Sequence, residues 1–363
     1  MRIKNFLLNL YIRIKRNPIP PLQIMFDFTP PAKLSFASDS STLALDTKGG
    51  HYTFISHAHS DHVVKQANQF ITSQATLDLL HVRGDQPNGT QTERVNVDGI
   101  EIELLDAGHI LGSRQIHVKA DGKNFTYTGD TKLSESLTGG KYDVKQCDEL
   151  LIEATFGKPE FIFPDKFEVY EQISRWTSQC QKAGQNIILG GYALGKAQEI
   201  VAILNKHCSI EPLVTKEIFE ACQVYNKHGH NLKCINSTSD EGKTLLNSEF
   251  CAVVPMNKAN NKLRLSLEEV YERKCALATC SGWNLINPGG FCLSDHADFN
   301  ELIEICQLTQ AKKIYCTLGQ NEVLAAALRA KGYNAVAIEK KEKKTPADKI
   351  KPQTQMKTLN NYF

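Results

Sequence analysis

The 363-residue chain is expected to fold as a layered α/β protein, on three observations. Apolar segments of strand length recur, and four of them run into a polar, ligand-type residue, at Asp46, His57, Asp130 and Glu153. Stacked sheets and helices build a single site along one edge in this way. Residues 72–81 and 300–308 read as helices placed among strands at 100–105 and 313–317. A hydrophobic content of 41% is ordinary for a folded soluble chain, and the length allows two domains.

Taken in order, Met1 to Arg16 mixes Phe6-Leu-Leu with five basic residues, but its apolar core is broken by Asn9 and no small-residue cleavage site follows. It reads as a basic helix or as an extension upstream of a core that begins near Met25. Prolines between Pro18 and Pro31 exclude long helices there, after which 34–37 and 42–46 read as short strands joined by a turn. Asp46 ends the second of these, well placed to fix the tautomer of a ligating histidine.

The stretch Phe54-Ile-Ser-His-Ala-His-Ser-Asp-His62 follows. It puts His57, His59, Asp61 and His62 within six residues after an apolar run, which favours a metal site over a polar surface turn, since zinc-type ions take imidazole nitrogen and carboxylate oxygen. Two apart at a strand end, His57 and His59 are expected to leave the same face, with Asp61 and His62 on the turn serving a neighbouring ion. His109 lies in the glycine-flanked loop Asp106-Ala-Gly-His-Ile-Leu-Gly-Ser113, and Thr128-Gly-Asp130 and Glu153-Ala-Thr-Phe156 supply two further carboxylates at strand ends.

The segment Gly190-x4-Gly195-Lys196 nearly matches a phosphate-cradling nucleotide loop, but Ala197 stands where a magnesium-binding Ser or Thr is required. An NTPase is therefore disfavoured. Gly191 and Lys196 are instead expected, with Ser294, to contact nucleic-acid phosphate, through amides at a helix start and a lysine charge. His228 and His230 read as a solvated loop. Eleven cysteines without a CxxC pair read as small core residues in a reducing compartment, and no apolar run reaches the ~18–20 residues that span a bilayer. A net charge of +2 conceals a basic tail: residues 340–357 hold seven lysines against Glu342 and Asp348.

Together, His57-x-His59-x-Asp61-His62, His109, Thr128-Gly-Asp130, Glu153-x-Thr-Phe156 and Leu293-Ser-Asp-His-Ala-Asp298 resemble the metallo-β-lactamase fold in its β-CASP nuclease branch. The likeness is nearest to ligase-associated DNA exonucleases and Artemis-like nucleases, and covers residues 26–339. It implies an αββα metallo-β-lactamase sandwich with an inserted α/β β-CASP domain. The implied division is an N-terminal extension at 1–25, the first part of the sandwich at 26–157, the insertion at 158–289, a return segment at 290–339 and a tail at 340–363. It further implies a zinc-dependent phosphodiesterase, with manganese as an alternative metal, trimming DNA from a 5′ end. His57, His59 and His109 would hold one ion and Asp61 and His62 the other, with Asp130 bridging; Asp61, Glu153 and His296 would form the catalytic set. An RNA-processing nuclease keeps the same chemistry. A clamp-bound scaffold of weak activity is the third reading, because Leu318 stands where RNA-processing members carry a zinc-binding histidine.

The tail ends in Met356-Lys-Thr-Leu-Asn-Asn-Tyr-Phe363, which resembles the clamp-binding box of PCNA partners, with Leu359, Tyr362 and Phe363 forming a hydrophobic plug and Met356 where glutamine is usual. A sliding clamp and a DNA ligase are the partners this implies. Replication or repair follows, in the cytoplasm of an archaeon or the nucleus of a eukaryote.

Overall fold

The computed structural model describes residues 42–338, except 51, 86, 93–95, 98–99 and 121, together with three earlier strands, Tyr11–Lys15, Gln23–Asp27 and Lys33–Ser35. The tail residues Met356, Leu359, Tyr362 and Phe363 lie outside the described residues. Where a basic helix was one expectation, Tyr11–Lys15 is a strand paired antiparallel with Gln23–Asp27. Its β-branched Ile12 and Ile14 alternate with Arg13 and Lys15, a period-2 pattern that suits a strand.

Two mixed sheets face each other. The first runs in the order Lys33–Ser35, Thr42–Leu45, Tyr52–Phe54, Gln66–Ile71, Asn88–Thr92, parallel after its first antiparallel pair. The second has seven strands, from Ala335–Ala337 through Lys313–Gly319, Glu149–Ala154, Lys123–Tyr127, Arg114–Ala120 and Ile100–Asp106 to Asn96–Val97. Its first four strands are parallel and the rest antiparallel. Alternation explains the facing: Ile100 and Ile102 are buried while Glu101 and Glu103 are not, so one face of that strand turns inward. Leu43, Leu45, Phe54 and Ile71 of the first sheet meet Ile116, Val118, Phe125 and Leu151 of the second in one core. At roughly 1.5–3 kcal/mol per buried side chain, this core holds the loops at the sheet edges in place.

On its far face the second sheet packs Leu150, Ile152 and Ile314 against Leu302 and Ile305 of the helix Phe299–Thr309 and Leu324 and Leu328 of the helix Asn321–Ala330. Asp298 caps the first of these reciprocally with Glu301, which sets its start one residue before the expected 300. The helix expected at 72–81 is Gln74–Val82, started by the Ser73 hydroxyl accepting the Thr76 N–H.

A third sheet is built from residues between 186 and 291 and is parallel throughout, with Asn186–Gly191 at its centre between Cys251–Pro255 and Cys275–Cys280. Asn186–Gly191 is buried along its whole length, as a central strand covered on both faces must be. Its core is continuous with Ile55, Phe70, Leu79 and Leu80 of the first sheet and its helix. Most cysteines are buried and none is in a disulfide, in keeping with their reading as small core residues. No helix among the described residues is long and apolar enough to cross a membrane.

Candidate metal centre

The expected site residues converge where the C-terminal ends of the two facing sheets meet. There the Tyr127 hydroxyl donates to Asp46 Oδ2 (2.9 Å) and the Arg114 N–H donates to the Ser56 carbonyl (2.8 Å). The strand Tyr52–Phe54 stops short of the histidines, so strand alternation does not align them as expected. The bend at 57–59 beyond the strand end, followed by a turn closed by the His62 N–H on the His59 carbonyl, brings different nitrogens inward, His57 Nε2 and His59 Nδ1, 3.0 Å apart. His109 Nε2 lies 3.1 Å from His59 Nδ1, and Asp130 Oδ2 lies 3.4 Å from His57 Nε2.

The outer nitrogens determine what those inner ones are. His59 Nε2 faces the Leu194 carbonyl (3.2 Å) and His109 Nδ1 the Asp295 carbonyl (2.8 Å). Carbonyls only accept, so these nitrogens carry the protons. His57 Nδ1 donates to Ser56 Oγ (2.9 Å), whose own hydrogen goes to Asp46 Oδ2 (2.7 Å). Three unprotonated nitrogens therefore turn their lone pairs on one point, with no hydrogen between them. Ligands at the ~2.0–2.1 Å of a tetrahedral zinc–nitrogen shell lie roughly 3.3–3.4 Å apart, close to the spacings found here. Burial, with the neighbouring histidines, holds His57 and His109 well below the usual imidazole range, and burial pulls His59 down to about 4, so all three stay neutral. A divalent cation fits this donor set.

A second position is less enclosed. His62 Nδ1 donates to Asp46 Oδ2 (2.8 Å), and Nε2 lies 3.4 Å from Asp130 Oδ1 and 3.8 Å from Asp61 Oδ2. Burial alone would depress this ring, but Asp130 and Asp46 outweigh it and push it up to about 10, so a cation held by Nε2 would displace a proton. Asp130 thus offers one oxygen to each position. The Asp61 side chain is 75% exposed and lies outside the tight four-residue convergence of His57, His59, His109 and Asp130. Asp46 accepts from the Ser56 N–H, the Ser56 hydroxyl, His62 and Tyr127, and so orients His62 directly and His57 through Ser56.

Beside these positions Asp130, Glu153 and His296 form a second convergence. Both Glu153 oxygens lie within 3.0 Å of His296 Nδ1, and Oε1 also accepts the Thr131 N–H (2.6 Å). Burial alone would depress His296, but Glu153 and Asp130 outweigh it and push it up to about 9. With its Nδ1–H on Glu153, the ring presents Nε2–H toward Asp130, 4.0 Å away.

The residues expected to contact phosphate are placed differently. Lys196 is 1% exposed, its ammonium held by Asp295 Oδ1 (2.6 Å) and Glu199 Oε2 (3.2 Å). Burial would depress it, yet the two carboxylates outweigh that and keep it charged. Its charge is already neutralised, so it holds the site together across the cleft and is not free for a phosphate. Gly191 closes a buried strand against Lys196 and Ile200, and the Ser294 hydroxyl accepts the His296 N–H (3.0 Å). Gly195, at φ +86°, lets the Leu194–Lys196 turn approach the His109 loop; a Cβ there would lie 2.4 Å from Ile110 Cγ2. His228 is not simply solvated, because its Nε2 meets Asp78 Oδ2 (2.8 Å) of the helix Gln74–Val82, joining the third sheet's helices to the first sheet. Leu318, at φ +58°, lines the rim of the same cavity and supplies no donor.

Sequence reading missed Ser56, Tyr127 and Asp295, together with the Leu194 carbonyl. Asp295 lies within the segment Leu293-Ser-Asp-His-Ala-Asp298, but its contact with Lys196 is not marked in the sequence. Leu194 and Asp295 edge a cavity of about 880 Å³, which His59, His109, Asp130 and His296 also line.

No family model matches the chain. Over 303 residues, 79% of its length, it is 26% identical to a "Probable DNA ligase" of Opitutus terrae, of which it covers 28%. Over 265 residues, 66% of its length, it is 26% identical to an "RNase J-like protein" of Methanocaldococcus jannaschii, of which it covers 62%. The chain thus spans less than two thirds of either relative. A solved protein of unknown function from Enterococcus faecalis superposes with a TM-score of 0.51 over 75% of this chain and 76% of its own, at 16% identity, a likeness of fold. What fold and site define is a mixed α/β protein with a His/Asp metal-binding cluster.

Proposed function

We propose that the chain is a metal-dependent nuclease that hydrolyses phosphodiester bonds, in an αββα sandwich carrying an inserted β-CASP-type domain at 158–289. The observation that carries this reading is the pairing of a metal-type cluster with a protonated histidine beside it. His57, His59, His109 and Asp130 would hold one ion, and Asp61, His62 and Asp130 a second. When bound, zinc or manganese supplies a water whose pKa falls from ~15.7 to about 7 and neutralises charge on the phosphate oxygens. Asp46 fixes the donors of both positions through His62 and Ser56. His296 holds its proton on Nε2, and Glu153 keeps it there by accepting from Nδ1. It delivers that proton to the leaving oxygen, help worth roughly 10²–10⁴ in rate.

DNA is the substrate we favour, on the absence of a histidine at Leu318 and the 79% of the chain that aligns with the ligase-named relative. The "RNase J-like" name of the second relative supports RNA as the alternative. End-labelled single- and double-stranded DNA and RNA decide between them: shortening from the 5′ end of DNA is expected, and cleavage confined to RNA rejects the DNA assignment. Less than one metal ion per chain with no cleavage after zinc or manganese addition would favour the scaffold reading. The tail residues Met356, Leu359, Tyr362 and Phe363 are proposed to dock a PCNA-type clamp in replication or repair. Deleting 356–363 is expected to abolish clamp binding and spare cleavage of short DNA; retained binding refutes it.

A further inference from the structure

The cavity that holds the candidate metal centre is poor in free lysine and arginine among the described residues. Among the described residues lining it, the lysine and arginine side chains are Lys196 and Arg83. Lys196 is neutralised by Asp295 and Glu199. Arg83 donates to the Ala58 carbonyl and pairs with Asp85 (3.2 Å). Asp61, Asp85 and Glu217 line the same space. A nucleic-acid strand entering it therefore meets no free lysine or arginine among the described lining residues; its phosphates face His296 and the metal positions, and its bases need another source of contact.

That source is aromatic. Trp283 and Tyr192 both line the cavity, 36% and 51% exposed. Large aromatic rings left open to solvent in a cleft need a reason, because burial of each is worth several kcal/mol elsewhere in a fold. The Trp283 ring is also held in place. It packs against Phe156 (centroids 4.8 Å) and edge-on to Phe161 (5.4 Å), and Phe156 in turn lies 5.9 Å from the His296 ring. The short turn Gly282–Leu285 that carries it starts at Ser281, whose hydroxyl accepts the Trp283 N–H (3.3 Å). Gly282 is what allows the turn to sit on this cluster, since a Cβ would fall 2.7 Å from Phe156 Cζ. A packed, partly exposed indole that lines the same cavity as the proposed general acid, with Phe156 between the two rings, is a stacking platform.

The geometry points to Trp283 and Tyr192 as stacking surfaces for unpaired nucleobases of the strand being cleaved. The inference rests on the nuclease reading above and names its substrate class: strands whose ends are unpaired. Every base has a π face, so the site takes any sequence and discriminates against a paired end, whose bases must first be opened.

The chain holds two tryptophans, so Trp176→Phe leaves Trp283 as the sole indole and makes its fluorescence a direct reporter. Titrating the metal-loaded full-length protein with a phosphorothioate-linked oligothymidine is expected to quench that fluorescence. Stacking is worth about 1–3 kcal/mol per base, so Trp283→Ala and Tyr192→Ala should each weaken binding by roughly 5- to 150-fold, and Trp283→Phe by less. An oligonucleotide with abasic positions should lose the same factor against the parent protein and lose little more against Trp283→Ala. Because stacking is not a phosphate contact, the deficit should be constant between 50 and 200 mM salt. Full cleavage and binding by both alanine variants, or binding without quenching, would overturn the stacking proposal while leaving the nuclease reading intact. A parent protein that cleaves no nucleic acid would overturn both. Tyr192, half-exposed and outside the phenylalanine cluster, keeps the test sound if Trp283→Ala fails to fold.

Discussion

Replacing Lys196 with methionine tests whether that side chain is a tie between loops or a contact for phosphate. Methionine fills a similar volume, so the change removes the ammonium and leaves Asp295 and Glu199 facing each other in a buried space. Breaking a buried ion pair by deleting one partner costs about 3–5 kcal/mol. Part of that cost should fall on the metal centre, because the Asp295 carbonyl holds His109 Nδ1 at 2.8 Å. Loss of such an outer contact typically weakens metal binding by roughly 10- to 100-fold. Urea unfolding and zinc competition against a chromophoric chelator read the two effects separately. The triple change Lys196→Met, Asp295→Asn, Glu199→Gln should recover most of the stability, since it removes all three charges together. A Lys196→Met protein with unchanged unfolding midpoint and zinc affinity, but weaker binding of oligonucleotides, would refute the tie and restore the phosphate role.

Asp46→Asn should weaken zinc binding by roughly 10- to 100-fold while the fold persists, because it disturbs the acceptor for His62 and Ser56; unchanged affinity in the same competition assay argues against the role. His296→Ala should abolish cleavage at unaltered metal content, and an unchanged rate removes it from the mechanism. Since His296 acts protonated and is raised to about 9, cleavage should fall as pH rises through that region, with bound cations drawing the limb lower. Glu153→Gln, which removes the charge that raises it, should move that limb to lower pH still; a limb that stays put means another group titrates. Asp78, whose bonds to Lys227 and His228 outweigh its desolvation, sits at about 2. Its stabilisation is present above the ordinary carboxylate value and is lost as pH falls through 2, so Asp78→Asn should cost about 1–2 kcal/mol at neutral pH and nothing below pH 2. Unfolding curves that coincide at pH 7 would refute this link between the first and third sheets.

The candidate ligands were legible in the sequence because they are local. His57, His59, Asp61 and His62 fall within six residues, and His109, Asp130 and Glu153 each follow a strand-like apolar run. Residue type and spacing mark the first four as ligand-type side chains, and the family resemblance adds His109 and Asp130. The strand alternation used to explain the convergence of His57 and His59 was not what aligned them; a turn beyond the strand end was. Lys196 shows why the remainder was out of reach. Read along the chain, it is a lysine after glycine at a helix start, a phosphate-type arrangement. Folding brings Asp295, 99 residues later, onto its ammonium, and that contact changes its task. The same holds for Asp46, whose value as an acceptor depends on Ser56 and His62 arriving from one segment and Tyr127 from another, and for Trp283, whose exposure follows from the Phe156–Phe161 cluster beneath it. By itself the sequence determined which side chains are of a type that can hold a metal. The tertiary structure decided which nitrogens face inward, which charges cancel and which rings stay open, because each depends on partners distant in the chain that only packing brings together.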